Sequence, residues 1–160
     1  MAMLDSVKAL RTARKTSLIL AEVLKNVTEA QATGPTDGPD GWNVLFIVCH
    51  MHDYEMILAE RVKCILEQDT PTLPAMNNAA LAESRRYAER NLSEEFEGCV
   101  QKRQDLIVKL DGLDAAGWAR RGVHPVQGEG SLVDVVINAG LHDVDHTEQI
   151  IRVLSSAGID

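Results

Sequence analysis

The sequence predicts an all-α protein, a four-helix bundle, and three observations point to it. Leucine, alanine, valine and glutamate are plentiful while aromatic residues make up only 4%, a mixture that favours helices. Apolar residues recur at helical spacing along four long stretches. Between them lie segments dense in glycine and proline, the strongest punctuation a chain carries. No internal repeat or low-complexity tract interrupts this pattern, and 160 residues suit a single domain, 1–160, able to bury a real core.

The first helix is expected from about Met3 to about Gln31, with Met3, Leu10, Ala13, Ser17, Leu20, Leu24 and Val27 close to one face. Gly34 to Gly41 is rich in turn formers and reads as a loop. The second helix runs from near Trp42 to about Gln68. Its opening, VLFIVCHMHDYEMIL, is apolar nearly all round, as in a buried helix. Asp69-Thr70-Pro71 to Pro74 ends it. The third is expected from about Asn78 to about Leu110, with a stripe of Leu92, Phe96, Cys99, Leu106 and Leu110 and a charged run, ERNLSEEFE, that reads as a solvated face.

Asp111 to Gly130 holds five glycines and Pro125 and reads as an irregular crossing segment. Ser131 then caps a fourth helix with Asp134 three residues on, a weaker relative of the capping box because Asp is shorter than Glu. That helix runs to about Ser155. Leu132, Val135, Ala139, His142, His146, Gln149 and Val153 follow one another along the face expected to be buried.

Composition excludes several functions. Hydrophobic residues at 45% and charged residues at 25% describe a globular chain, not a disordered one. The formal charge of −8, with no Lys/Arg run, disfavours phosphate backbones and anionic lipid, so neither nucleic acid nor membrane is an expected partner. Cys49, Cys64 and Cys99 are odd in number and lack CxxC spacing, which suits buried free thiols in a reducing compartment. The opening MAMLDSVKALRTARK lacks the apolar run of a secretory signal, and no segment has the roughly 18 apolar residues of a membrane span. A cytoplasmic protein is expected.

The chemistry points to histidine. His142 and His146, four residues apart, share a helix face and can aim at one point. Imidazole is the commonest ligand for a transition metal, and an ion satisfies the polar nitrogens of two buried rings at once. A third, His50, lies about 12 Å up the second helix, while His142 lies about 16 Å up the fourth. These depths let the sites meet if the helices run parallel. The position of His146 near the far end of its helix leaves an antiparallel pairing open. His52, two positions from His50, points elsewhere and reads as a surface residue.

Metal-bound histidines usually donate their second N–H to a carboxylate or carbonyl, which makes Asp53, one turn from His50, a candidate supporting residue. Asp143, Asp145 and Glu148 surround the histidine pair, and Asp145 and Glu148 are expected simply to solvate the helix. Gln149, one turn beyond His146, is expected to hydrogen-bond a ligand or a helix neighbour. Trp118 to Pro125 combines an aromatic, Arg120, Arg121 and His124 in a loop suited either to a pocket mouth or to a structural crossover.

These residues also carry a resemblance. GWNVLFIVCHMHDYE resembles the opening of the second helix in the DinB/YfiT-like family, where W-x7-H-x2-D-x-E recurs. WARRGVHPVQGEGSLVDVVINAGLHDVDHTEQI resembles that family's C-terminal signature, a Trp-Arg-Gly-His loop followed by HDxxHxxQI. The likeness runs through the whole chain in order and length, with the second and fourth helices sharpest. It implies a four-helix bundle with a metal held by His50, His142 and His146, often in a homodimer. It also implies a thiol S-transferase using a bacillithiol- or mycothiol-type cofactor on a small electrophile. Three neutral imidazoles leave a divalent zinc, nickel, iron or copper ion its full charge and open positions for a thiol or water. Arg120 and His124 are then expected to orient the second substrate. Metal-activated hydrolysis, and a non-enzymatic metal-binding stress protein, are the alternative readings.

Overall fold

The computed structural model describes residues 2–159, with side chains from Asp5 onward. Seven α-helices appear among the described residues: α1 (Ala2–Leu24), α2 (Glu29–Thr33), α3 (Val44–Glu67), α4 (Asn78–Ser84), α5 (Leu92–Asp111), α6 (Ala115–Ala119) and α7 (Leu132–Ser156). A 3-10 turn (Tyr87–Glu89) follows α4. A hairpin of β1 (Arg121–His124) and β2 (Gly128–Ser131) precedes α7. The long helices α1, α3, α5 and α7 make the expected four-helix bundle.

Local chemistry sets their ends. The Asn43 side chain accepts from Phe46 N at 2.9 Å to start α3, and Asn91 does the same for Glu94 N at 3.1 Å to start α5. The Ser131 capping box forms: Asp134 accepts from Ser131 N at 2.8 Å, and the Ser131 hydroxyl accepts from Asp134 N at 3.2 Å. Two predicted helices are broken. Thr28 with Gln31 makes a second capping box that restarts the chain as α2, so α1 stops at Leu24. Arg86, at φ 53°, breaks the third helix between α4 and the 3-10 turn. The crossing segment before α7 is not irregular throughout. It holds α6 and the hairpin, in register Arg121 with Ser131 and His124 with Gly128.

The long helices run up, down, down, up. Leu20 and Leu24 of α1 share an apolar cluster with Val44 to Met51 of α3, Leu92 and Cys99 of α5, and Ile150 to Leu154 of α7. A second cluster gathers Ala9 to Ala13, Leu58 to Ile65, Leu106, Leu110, and Leu132 to Ala139. Thus α1 parallels α7, α3 parallels α5, and α3 is antiparallel to α7. A parallel α3–α5 pair obliges the chain to climb back along the bundle, and residues 68–91 do so. The hairpin docks on this crossover: Val123 N donates to Pro71 O at 2.8 Å, and Leu73 N to Val123 O at 2.9 Å. Gly122 permits the approach, since a Cβ there would lie 2.8 Å from Leu73 Cδ2.

Between the two apolar clusters Thr16, Glu55, Arg103 and Asp143, one from each long helix, meet in a buried polar cluster. Arg103 Nε donates to Glu55 at 2.9 Å and Nη1 to Asp143 at 2.7 Å, while Thr16 donates to Asp143 at 2.5 Å. Arg103 also donates to the carbonyl of Ala13 at 3.2 Å. One guanidinium thereby ties α5 to the other three helices, and its fork matches both carboxylates.

Several faces differ from expectation. Thr16, not Ser17, is buried on α1, and the Met3 side chain lies outside the described residues. Glu95, in the run read as solvated, is 2% exposed and bound by His52 and Arg90. His52 is correspondingly not a surface residue: its Nδ1 meets Glu95 at 2.7 Å, and its ring packs where a Cβ on Gly98 would stand. Cys49 and Cys99 are buried free thiols, and Cys64 is partly exposed. No described helix is long and apolar enough to cross a membrane.

Candidate metal centre

His50 projects from α3 toward α7, where it meets the histidine pair. Its Nε2 lies 3.0 Å from His142 Nε2. The ring centroids of His142 and His146 are 4.4 Å apart, and those of His50 and His146 4.6 Å. One ligand atom from each of the three lies within 4.8 Å of the others. The antiparallel packing of α3 and α7 makes this meeting, which settles the orientation that helix depth left open.

The pair does not sit on the buried face of α7. That face is Leu132, Val136, Ala139, Asp143, Thr147 and Ile150, and the histidines flank it, half-buried. They therefore front a cavity of about 550 Å³ between α3 and α7. The crossover (Ala75, Met76, Asn78) and the hairpin tip (His124 to Gln127) close its rim.

The protonation pattern suits a cation. Burial, then the neighbouring imidazoles, lower the pKa of His50 to about 4 and that of His142 to about 2, so both rings are neutral at pH 7. His146 is set by its surroundings. Gln149 Nε2 donates to Asp37 Oδ2 at 3.0 Å, and a carboxylate can only accept, so Gln149 Oε1 faces His146 Nδ1 at 2.8 Å. Nδ1 then carries a proton, and Nε2 is the nitrogen that faces the other two rings as a ligand atom. His50 and His142 can share one proton between their Nε2 atoms, and their Nδ1 atoms have no hydrogen-bond partner. Three imidazole nitrogens this close fit a divalent transition metal, whose nitrogen ligands sit at about 2.0–2.1 Å.

Gln149 is the hydrogen-bonding residue the sequence singled out. Asp37, which steadies it, was missed: it sits in the loop before α3, held by Arg152 Nη2 at 2.9 Å, and nothing local ties it to a histidine more than 100 residues away. Tyr54 stacks on His142 with ring centroids 3.7 Å apart and planes at 14°. Arg61 lines the cavity beyond it. Both follow His50 on one α3 face, at four and eleven residues, and that spacing was a readable signal.

The other expected site residues divide. His124 lines the cavity, and its Nδ1 accepts from Val126 N and Gln127 N, both at 3.2 Å, so Nε2 bears the proton. Asp145 is exposed, as expected, at the cavity mouth. Asp53 does not reach the histidines. It is buried on another face of α3, paired with Arg85 at 3.1 Å and accepting from the Tyr87 hydroxyl at 2.7 Å. Arg120 is not in the cavity lining either. Its Nε donates to Ile65 O at 2.6 Å and Nη2 to Gln68 O at 2.5 Å, capping the C-terminus of α3. Trp118 is core, and Asp143 belongs to the Arg103 cluster.

A sequence profile of the DinB superfamily matches residues 9–150. Among solved structures, the chain is similar to YfiT from Bacillus subtilis, described as a probable metal-dependent hydrolase with an unusual four-helix bundle topology. The TM-score is 0.86 at 20% identity, over 97% of this chain and 89% of YfiT. At that identity the likeness establishes the fold. No curated protein matches the chain at a significant level.

Proposed function

We propose that this chain, which belongs to the DinB superfamily, is a metal-dependent enzyme that joins a low-molecular-weight thiol to a small electrophile. One observation carries the reading: three imidazoles converge at the wall of a cavity of about 550 Å³, room enough for two small reactants. When bound, a divalent ion supplies Lewis acidity that generates a nucleophile from a neutral thiol or water at physiological pH.

The protein's own residues hold and shape the site. Gln149 fixes the tautomer of His146, and Asp37 fixes Gln149. Tyr54 covers one face of His142 and keeps its ring from turning. His124 offers an Nε2–H donor on the cavity wall for an oxygen or a departing group on the electrophile. In transfer, a sulfur–carbon bond forms as the carbon–leaving-group bond breaks, and the thiol proton passes to solvent.

Hydrolysis is the second reading, supported by the description of YfiT as a probable metal-dependent hydrolase. The two separate on one experiment. Protein loaded with zinc, nickel or iron is given an electrophile, with and without bacillithiol, mycothiol or glutathione, and His142→Ala is the control. A metal-dependent product containing the thiol supports transfer. A metal-dependent product lacking it supports hydrolysis. No turnover in any arm leaves a metal-binding protein without catalysis.

A further inference from the structure

The cavity's chemistry away from the histidines is set by Arg61. It is 5% exposed and is the one lysine or arginine among the described residues that line the cavity. Its Nε donates to Pro74 O at 3.0 Å, and its guanidinium carbon lies 5.8 Å from the Tyr54 ring centroid. No described carboxylate pairs with it; Asp145, also on the lining, stands exposed at the mouth and makes no such bond. Arg103, buried deeper in the bundle, is by contrast held by Glu55 and Asp143. Removing a cation from water without a counterion is costly, and burial draws the Arg61 pKa down accordingly. A buried cation whose neighbours are a carbonyl and the ring and hydroxyl of Tyr54, with no carboxylate among them, is set for an anion from outside.

We infer that Arg61 is the anion-recognition residue of this cavity, and that the natural substrate carries a carboxylate several bonds from its reacting atom. The inference rests on the cavity being the active site. Tyr54 lies between the two ends, stacked on His142 at 3.7 Å and facing Arg61 at 5.8 Å. A molecule lying along that ring reaches from the imidazoles to the guanidinium. Pro74 takes the Nε of Arg61 and the Tyr54 hydroxyl interacts with the guanidinium, so the remaining Nη hydrogens are what the carboxylate would meet. The chain's net charge of −8 does not draw anions from a distance, so selection is made at contact range inside the cavity.

The test uses cobalt-loaded protein and two thiols of one size, mercaptopropionate and mercaptopropionamide, followed by the cobalt–thiolate absorption. Wild type is expected to favour the acid by about tenfold. Arg61→Gln is expected to lose that preference while keeping its cobalt content and its affinity for the amide. An undiminished preference in Arg61→Gln overturns the inference. If the glutamine variant does not fold, Arg61→Lys replaces it and is expected to retain a reduced preference; an unchanged one overturns the inference. If wild type holds no cobalt, the metal reading fails on its own, and metal-free protein is titrated by NMR with hexanoate and hexanamide. Preference for the acid, reduced in the variant, sustains the role of Arg61; equal binding of the two overturns it.

Discussion

The Nε2 atoms of His50 and His142 face each other at 3.0 Å across the antiparallel α3–α7 contact. Two neutral imidazoles this close share at most one proton, and His146 stands beside them. A divalent cation satisfies all three nitrogens. Metal is therefore expected to stabilise the fold: zinc at about 100 times its Kd raises Tm by about 5–10 °C. Differential scanning fluorimetry with metal analysis checks it, and His142→Ala is expected to lose both the bound metal and the shift.

Gln149→Leu removes the acceptor that fixes His146 while leaving every imidazole in place. Metal affinity is expected to fall by about 10–100-fold with little change in the stability of the metal-free protein. Asp37→Asn, one bond further out, is expected to fall less, since an amide oxygen can still accept from Gln149. Competition against a chromophoric chelator measures both.

The metal-free protein is expected to lose stability in mild acid. Burial holds His50 at about 4, below its ordinary 6.5, so as pH falls the unfolded chain takes up a proton before the folded one does. The stability this group contributes is fully present above pH 6.5 and drains away between 6.5 and 4. Its share of the loss from about pH 7 to about pH 5 is about 2 kcal/mol, and His142 adds in the same direction. Urea unfolding at the two pH values reads the slope. His50→Gln is expected to flatten it, and an equal slope in that variant would place the titration elsewhere.

Arg103→Leu leaves Glu55 and Asp143 buried without their cation. A loss of about 3–5 kcal/mol in unfolding free energy is expected. Adding Glu55→Gln and Asp143→Asn to the same chain is expected to recover part of it, because neutral amides are cheaper to bury than carboxylates. Denaturant titration of the single and triple variants decides, and a triple variant no more stable than the single one would argue against unpaired charge as the cause.

The sequence by itself determined what depends on neighbours along the chain. Helical periodicity, the turns dense in glycine and proline and the Ser131–Asp134 cap marked out the long helices, and the spacing of four brought His142 and His146 together. Even Gln149 was legible, because it lies within one turn of the ring it holds. Only the tertiary structure decided which face met which. Asp53 and His50 are three residues apart, yet Asp53 was taken by Arg85 and Tyr87 on a crossover more than 30 residues away. Arg120 went to the open carbonyls ending α3, where a cation is best placed. Arg103, Asp37 and Arg61 acquired their partners or their cavity through the up-down-down-up path of the helices. Bond geometry fixes contacts a few residues apart, whereas contacts between helices depend on how the whole core packs, and no local pattern encodes that.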